Sequence, residues 1–508
     1  MTSAITNTFA KNITRWETPG GNISIRGMFG NLLSSYSSTG INASPFTIET
    51  INTDSSLSSG IFTSSVNSMT GTRIVNLPNG ENGMVKNINT SFQRTSPVIV
   101  NVDTGGTYQL GPSRPTSTLL YNNSWALTNT SDGVLSFYPT KKDIDLVGSG
   151  SFNNIVSQGT SVSLSDDGNT LAIGGPGDHS NIGATWIFTR SGTWSQQGNK
   201  LIGTGVTGTS GQGSSCALSA DGNTLAIGGP LDNSFIGATW IFTRSGTTWT
   251  QQGDKLIGTG VTGTSKQGYS CSLSSDGNTL AVGGITDSSD NGAVWIFTRS
   301  NGLWSQQTKI SGNTSSSAGF SCSLSSDGNT LAIGSPNDNS LAGSTSIYTR
   351  SGGIWTQQTI LVGTGAIGTS SEQGFSCSLS ADGNTLATGG PFDDTVIGAT
   401  WIFTRSGTTW TQQSKLIGTG NIGGSTQGMS CALTADGNTL ISNGPSDNSS
   451  LGATWVFTRS GTTWTQQSKL VSGIVFQGLS CDLSSNGNTL ALGCPDDNGS
   501  IGSTLIYV

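Results

Sequence analysis

The chain has 508 residues, of which only 10% are charged, and its formal net charge is −7. A globular domain typically carries about 25% charged residues, so this surface must be polar mainly through Ser, Thr, Asn and Gly. The low charge argues against nucleic-acid binding, the scarcity of helix formers argues against a helical bundle, and the chain has no run of about 18 apolar residues that would predict a membrane span.

The N-terminal part does not share the pattern of the rest. Residues 1–55 are interpreted as an attachment segment, and residues 1–15 lack the apolar core of a signal peptide, so classical secretion is not predicted. Residues 56–139 contain short β-forming runs separated by turn signals such as Asn79-Gly80, which predict a small β-sandwich or β-roll. If the protein forms a homo-oligomer, we expect contacts through this N-terminal part.

An internal repeat begins after residue 150. The glycine of the run S-x-D-G-N-T-L-A recurs at successive spacings of 54, 55, 51, 55, 54 and 50 residues. Its positions are Gly168, Gly222, Gly277, Gly328, Gly383, Gly437 and Gly487. Repeats of about 40–50 residues are typical of four-stranded propeller blades, so the sequence predicts seven blades.

Each repeat divides into four short predicted strands, as the second one illustrates. Ser215–Ser219 alternates polar and apolar residues, Asp221-Gly222 supplies a tight turn, and Thr224–Gly228 is the returning strand. Gly237–Arg244 and Trp249–Ile257 follow as the third and fourth strands. The fold class is therefore all-β.

The two ends of the repeat region predict how the ring closes. The last unit stops after its third strand, Gly502–Val508, and Lys142–Gly148 before the first unit aligns with the fourth-strand segment Lys415–Gly420. We therefore expect residues 140–508 to form one propeller in which residues 140–150 complete the last blade. An open solenoid would need polar caps instead of this complement.

Two tryptophan series recur in phase with the repeat. They are Trp186, Trp240, Trp295, Trp401 and Trp455 in the third strand, and Trp194, Trp249, Trp304, Trp355, Trp410 and Trp464 in the fourth. A row of aromatic rings can bind sugars, but a ring in almost every unit favours packing between blades.

Six cysteines occupy one repeat position, where the first unit has Val162. They are Cys216, Cys271, Cys322, Cys377, Cys431 and Cys481. Exchange with valine indicates a small buried apolar site rather than a disulfide framework, and the spacing of Cys494 suggests no metal site.

Carboxylates recur at two positions, both in turns. Those before the turn glycine are Asp167, Asp221, Asp276, Asp327, Asp382 and Asp436, with Asn486 in the last unit. The second series is Asp178, Asp232, Asp287, Asp338, Asp393, Asp447 and Asp496. Local turn capping is the favoured role of both series, and Asp232, Asp338, Asp393 and Asp447 are retained as candidate cation ligands at one mouth of the ring.

Apart from these four candidate cation ligands, no group of residues predicts catalysis, a metal centre or a cofactor site. His179, the only histidine, occupies a turn whose equivalents include Asn233 and Asn339. Arginines recur at the end of strand three, where a rim charge that keeps a sheet edge soluble is favoured over an anion site. These are Arg190, Arg244, Arg299, Arg350, Arg405 and Arg459.

The repeats resemble FG-GAP repeats, those of the integrin α-subunit propeller and its bacterial relatives. The matching features are Gly319-Phe320 and Gly374-Phe375 before strand one, then D-G-N-T-L-A-I-G-G-P and G-A-T-W-I-F. The resemblance implies a propeller that binds glycan or protein through loops on one face. The alternating aspartates of the family's calcium loop are absent from the sequence, so calcium binding does not carry over.

A second, shorter resemblance covers Thr72–Leu127. The order N-L-P-N-G-x-x-G, Y-x-L-G-P and L-L-Y-N-N-S-W-A-L resembles β-modules in fibre- and particle-associated proteins of large DNA viruses and phages. It implies a protein of a virus particle.

The sequence therefore predicts a non-enzymatic structural or recognition protein of the virion, on the capsid surface or a fibre. Its expected partners are other structural proteins of the particle, or a surface receptor or glycan. The alternatives are a secreted or cell-surface adhesion module and, least favoured, a propeller hydrolase or lyase.

Overall fold

A computed structural model describes residues 142–152 and 155–508, together with the backbone of short strands between residues 3 and 138. The chain separates into two compact units, residues 142–507 and residues 1–141 with Val508. Within the described residues, residues 142–507 form an all-β ring of seven four-stranded antiparallel sheets, as the sequence predicts.

The sheets are numbered as blades 1 to 7 in chain order, and their strands are numbered from the ring axis outward. Blade 1 comprises Ser161–Leu164, Thr170–Gly175, Ala184–Ser191 and Thr193–Gln196; blade 2 comprises Ser215–Leu218, Thr224–Gly229, Ala238–Ser245 and Thr248–Gln251. Blade 3 comprises Ser270–Leu273, Thr279–Gly284, Ala293–Ser300 and Leu303–Ser311; blade 4 comprises Ser321–Leu324, Thr330–Ser335, Ser344–Ser351 and Ile354–Leu361. Blade 5 comprises Ser376–Leu379, Thr385–Gly390, Ala399–Ser406 and Thr409–Leu416; blade 6 comprises Ser430–Leu433, Thr439–Gly444, Ala453–Ser460 and Thr463–Leu470.

Blade 7 combines both ends of the repeat region. Its first three strands are Ser480–Leu483, Leu490–Cys494 and Ser503–Tyr507, and its fourth is Lys142–Leu146. Lys142 pairs with Tyr507, and Leu146 pairs with Thr504. The prediction that a segment before the first blade completes the last one is confirmed.

The first strands surround the axis, and each contacts the first strand of the next blade, from blade 7 back to blade 1. Beside them, the residue two positions before each hairpin glycine donates its backbone N–H to the equivalent carbonyl of the next blade. This closed circle of bonds, each 2.9–3.0 Å long, runs through Asp166, Ala220, Ser275, Ser326, Ala381, Ala435 and Ser485. Each bond pairs backbone groups at the ends of the innermost strands.

The second strands are the interior of the disc. The segment Thr224–Gly229 is buried throughout, because each second strand has sheet neighbours on both sides and packed blades on both faces. That environment explains why its centre reads Leu-Ala-Ile without polar alternation. Ala226 faces the next blade and Ile227 the previous one, so every interface receives apolar side chains from two sheets.

The disc has two faces, which we name by their connections. The hairpin face carries the tight turns between strands one and two and between strands three and four. The connection face carries the links between blades and the four-residue turns between strands two and three. These turns are Asp178–Asn181, Asp232–Phe235, Asp287–Asp290, Asp338–Leu341, Asp393–Val396, Asp447–Ser450 and Asp497–Ser500.

Short strands also occur in the first unit, where Arg73–Leu77 pairs in parallel with Val98–Val102, which pairs antiparallel with Gly106–Leu110. The other strands are Ser3–Ile5, Trp16–Glu17, Ser24–Ile25, Ser34–Tyr36, Ser55–Ser56, Thr63–Ser65, Asn87–Asn89, Leu119–Tyr121, Trp125–Asn129 and Leu135–Tyr138. Most of the predicted attachment segment, residues 1–55, and the packing of the predicted sandwich or roll lie outside the described residues.

Candidate functional site

The carboxylates before the hairpin glycines hold the turns on the hairpin face. In blade 2, Asp221 Oδ1 accepts hydrogen bonds from Ser219 Oγ at 2.6 Å and from the Asn223 backbone N–H at 2.9 Å. Burial opposes ionisation, but these bonds together with the nearby Arg244 charge lower the pKa of Asp221 below its ordinary value. The series thus has the turn-stabilising role that the sequence predicts.

Five carboxylates of the second series form buried ion pairs on the connection side. Asp232 is fully buried, its Oδ2 lies 2.5 Å from Lys255 Nζ, and its Oδ1 accepts the backbone N–H of Thr207 from the preceding connection. Asp232 therefore does more than cap its own turn, the role favoured from sequence: it also binds a lysine and the preceding connection. The ion pairs are Lys200–Asp178, Lys255–Asp232, Lys309–Asp287, Lys415–Asp393 and Lys469–Asp447.

Blades 4 and 7 use a different partner for this carboxylate. Asp338 Oδ2 accepts a 2.7 Å bond from Ser344 Oγ, and in blade 7 Asp497 accepts an equivalent bond from Ser503 Oγ at 2.6 Å. The seventh member of the series is therefore Asp497, and the assignment of Asp496 was wrong by one residue. Blade 7 has two consecutive aspartates at this point, and Asp496 is the residue just before the turn.

The four candidate cation ligands lie in turns of different blades. Asp232, Asp393 and Asp447 are each paired with a lysine, and Asp338 is bonded to Ser344. Among the described residues, no three His, Cys, Asp or Glu side chains come together in a metal-binding group. The geometry provides these carboxylates with protein partners rather than with one another.

The third-strand tryptophans seal the blade interfaces. Trp240 is fully buried and donates its Nε1–H to the carbonyl of Thr204 in the preceding connection at 2.7 Å, while Lys255 Nζ lies 5.9 Å from its ring centre. Gly203 is required beside it, since an added Cβ would lie 2.1 Å from the Trp240 ring. These contacts support packing over sugar binding for this series.

Buried glutamines fix the same connections, and sequence reasoning missed them. Gln212 Oε1 accepts the backbone N–H of Gly203 at 2.6 Å, and its Nε2 donates to the Gly203 carbonyl at 3.1 Å. Gln267, Gln373 and Gln427 hold the equivalent glycines. The signal in the sequence is a Gln-Gly pair just before the first strand of most repeats.

The arginine series and the fourth-strand tryptophans form a second set of contacts on the hairpin face. The Arg244 guanidinium lies 5.3 Å from the Trp249 ring centre, and its Nε donates to Asn223 Oδ1 at 2.9 Å. Trp249 Nε1 donates across the interface to Gln197 Oε1 of blade 1 at 2.9 Å. The guanidinium also donates through Nη1 to Gln197 Oε1 of blade 1 at 3.4 Å, so it is held by two blades and not presented as a free anion site.

The remaining candidates for chemistry occupy structural positions. All seven cysteines are free thiols, and burial raises the pKa of Cys216 to about 12, which keeps it a protonated thiol at neutral pH. His179 lies exposed in the turn of blade 1 with a φ of 50°, and its ring packs edge-on to Phe152 with centroids 5.0 Å apart.

The residue just before each first strand, on the connection face near the axis, differs in polarity from blade to blade. Blades 1 and 2 have Thr160 and Ser214 there, whereas the residues in the other blades are apolar. These are Tyr269, Phe320, Phe375, Met429 and Leu479. All seven are half-buried, so they line one end of the ring with a polar and an apolar side.

Four aromatic rings on the apolar side are in contact, and we call them the aromatic arc: Tyr269, Phe320, Phe375 and Phe392. The ring centroids of Tyr269 and Phe320 are 5.0 Å apart, those of Phe320 and Phe375 are 4.5 Å apart, and those of Phe375 and Phe392 are 6.2 Å apart. In the sequence, Phe320 and Phe375 stand out only as part of a repeat motif. The arc spans blades 3 to 5, and its four residues keep part of their surface accessible.

Comparison with known proteins finds no family model that matches the chain and no similar curated protein. The resemblances to FG-GAP repeats and to viral β-modules therefore remain predictions from the sequence. Among the described residues, no helix is both long enough and apolar enough to cross a bilayer.

Proposed function

We propose that this protein is a non-enzymatic structural or recognition protein whose rigid propeller serves as a binding platform. The observation that carries the proposal is a contrast between two kinds of side chain. The recurrent carboxylates, lysines and arginines bond to one another, to the backbone or to neighbouring polar side chains, as in Asp232 with Lys255 and Arg244 with Asn223. The aromatic arc, in contrast, is half-buried, and three of its rings occupy a position that is polar in blades 1 and 2.

The location we propose is a virus particle, on the capsid surface or a fibre. It is supported by the resemblance of Thr72–Leu127 to particle-associated β-modules and by a charge-poor, hydrogen-bonded propeller suited to a durable surface. Mass spectrometry of purified particles should find peptides of the propeller in stoichiometric amount. If the chain is absent from purified particles, the proposed location on a virus particle is rejected.

A secreted or cell-surface adhesion module is the second candidate, favoured by the arc together with the FG-GAP resemblance. Both candidates use the same face but differ in partner. A purified full-length chain should bind structural proteins of the particle in the first case. In the second, it should bind members of a glycan or receptor-ectodomain array.

The binding face is tested with substitutions that the repeat itself supplies. The double variant Phe320→Ser with Phe375→Ser places serine at two positions where blade 2 already has Ser214. It should weaken binding of the partner at least about tenfold, because two aromatic contacts are lost. The matched control is Leu303→Thr on the hairpin face, where Leu303 is 76% exposed and blade 2 has Thr248. Equal loss in both variants would reject the arc as the binding surface.

A further inference from the structure

Six blades are each formed by one continuous stretch of chain, but blade 7 combines both ends of the repeat region. One interface in the ring, that between blades 7 and 1, therefore depends on a blade whose strands are not all covalently continuous. We call it the seam, meaning the contact between Ser480–Leu483 of blade 7 and Ser161–Leu164 of blade 1. Blade 7 is linked to blade 1 through its fourth strand, Lys142–Leu146, which is paired with Ser503–Tyr507 but has no covalent connection to it. The ring opens when this strand leaves blade 7 and the seam separates.

Asp482 lies in the seam at a position where the other blades have no carboxylate. Its equivalents are Ser163, Ala217, Ser272, Ser323, Ser378 and Ala432. Asp482 Oδ2 accepts the backbone N–H of Leu164 across the seam at 2.7 Å, and its Oδ1 accepts the N–H of Leu483 at 2.8 Å. At an internal interface, Ser323 Oγ makes the corresponding bond to the N–H of Leu379 at 3.0 Å.

The surroundings of Asp482 disfavour its charge. The titratable groups that face it are the Asp166 carboxyl from the hairpin of blade 1 and the thiols of Cys216 and Cys481, so no cation offsets it among them. Burial is the largest effect and, with the nearby Asp166, raises the pKa of Asp482 to about 6 despite the two backbone N–H bonds and a hydrogen bond from the Ser163 hydroxyl.

We propose that Asp482 makes closure of the ring dependent on pH, with the seam held more firmly in mild acid than at neutral pH. The carboxylate in the closed seam is partly desolvated beside another acid, whereas in the opened seam it is hydrated. Protonation removes the charge and leaves the carbonyl oxygen to accept the N–H of Leu164. Asp482 thus acts as a latch at the interface that closes the ring.

The sign and the pH window follow from proton linkage. The closed state holds the Asp482 proton up to about pH 6, while an exposed aspartate releases it near 3.8. Its stabilising contribution is therefore complete below about pH 3.8, declines between pH 4 and 6, and is absent above that range. The seam-opening constant should rise by up to about 100-fold between pH 4 and pH 7.

Hydrogen exchange of the full-length chain, followed by mass spectrometry from pH 4 to 7.5 and corrected for intrinsic rates, tests this latch. In the unsubstituted protein, the protection of Lys142–Leu146 and Ser161–Leu164 should fall as pH rises. In Asp482→Ser, which restores the side chain of Ser163 and Ser323, the opening constant should vary less than about threefold over that range. If Asp482→Ser does not fold, Asp482→Asn keeps an acceptor for Leu164 without titrating.

The matched control moves the carboxylate to an internal interface. Ser323→Asp should make protection of Ser376–Leu379 pH-dependent and leave that of Lys142–Leu146 as in the unsubstituted protein. The proposal is overturned if the seam of the unsubstituted protein shows no pH dependence or if Asp482→Ser retains it. A change at Lys142–Leu146 in Ser323→Asp would also overturn it, because the effect would then be one of total charge.

Discussion

Lys255 lies over the ring of Trp240 and forms an ion pair with the fully buried Asp232. Neither charged group can become hydrated without a rearrangement, because the aspartate is fully buried and the lysine lies against the tryptophan ring. A buried pair of this kind specifies geometry more than it adds stability, because desolvation consumes much of the attraction. Removing one partner is nevertheless costly, since the other charge stays buried.

The first prediction concerns this pair. Lys255→Met should lower the free energy of unfolding by about 3–5 kcal/mol, because Asp232 is left as an uncompensated buried charge. Equilibrium urea unfolding measures the loss. Adding Asp232→Asn should recover a large part of it by removing the charge. A loss below about 1 kcal/mol in the single variant would contradict the inferred burial of the pair.

The second prediction concerns the hairpin carboxylates, whose pKa values are lowered in blades 1 to 5. Such groups stabilise the fold above their unfolded pKa near 3.8, and this contribution is lost as pH falls through the lower folded pKa. Asp221→Asn should therefore be less stable than the unsubstituted protein at pH 7 and equally stable near pH 2. Thermal unfolding across this range provides the measurement.

Blade 7 supplies the control for that prediction. It already has Asn486, whose Oδ1 accepts Ser484 Oγ at 2.9 Å and the Asn488 N–H at 3.0 Å. Asn486→Asp should add pH-dependent stability of the same sign. If neither substitution changes the pH profile, the hydrogen bonds to the hairpin carboxylate do not favour its ionised form.

At the scale of elements, blade 4 lacks the tryptophan, the lysine and the glutamine together, whereas blade 7, with Leu505 and Asp145 at the first two positions, keeps Gln477. Ser346 pairs with Ile360 where blade 3 pairs Trp295 with Lys309, and Ala318 stands where other connections have glutamine. The connection into blade 4 is also shorter, as the spacing of 51 residues indicates. The connection into blade 4 lacks the segment that accepts the tryptophan Nε1–H in other blades. The tryptophan, the lysine and the glutamine are therefore all replaced in blade 4.

The third prediction compares two tryptophans in blade 3. Trp295→Ala should cost about 3–5 kcal/mol, since the ring is fully buried between blades. Trp304→Ala should cost clearly less, because Trp304 is half-buried under Arg299 and keeps contact with solvent. Equilibrium unfolding of both variants decides the order. Equal costs would mean that the third-strand series does not carry the blade interface.

At the scale of the whole molecule, the ring is closed by a strand from outside the repeat. The third strand of blade 7, Ser503–Tyr507, is buried throughout because Lys142–Leu146 covers its outer edge. An exposed edge strand of this kind would offer unpaired backbone groups to other chains. Closure therefore protects the fold from strand-to-strand association as well as completing it.

The fourth prediction tests closure directly. A chain that begins at residue 147 should be less stable than one that begins at residue 141 by about 5 kcal/mol, from several lost ladder bonds and the burial of Leu146. It should also associate at lower concentration. Thermal unfolding and light scattering measure both effects, and a peptide spanning residues 141–148 should reverse them. Identical behaviour of the two chains would contradict strand closure.

The amino-acid sequence by itself determined the number of blades, their four-strand order and the closing strand, because these depend on local turn chemistry and on apolar runs that recur along the chain. It also indicated the packing role of Trp240 and its equivalents and the turn role of Asp221. Such features are short-range or repeated, so alignment of the repeats is enough to reveal them.

Only the tertiary structure decided which side chains meet between distant positions. The pairing of Asp232 with Lys255, the aromatic arc across blades 3 to 5 and the place of Asp482 in the seam bring together residues from different strands or blades. A repeat alignment compares equivalent positions and is silent about contacts between unlike ones. The physical reason is that burial and charge pairing depend on distances that exist only once the ring has closed.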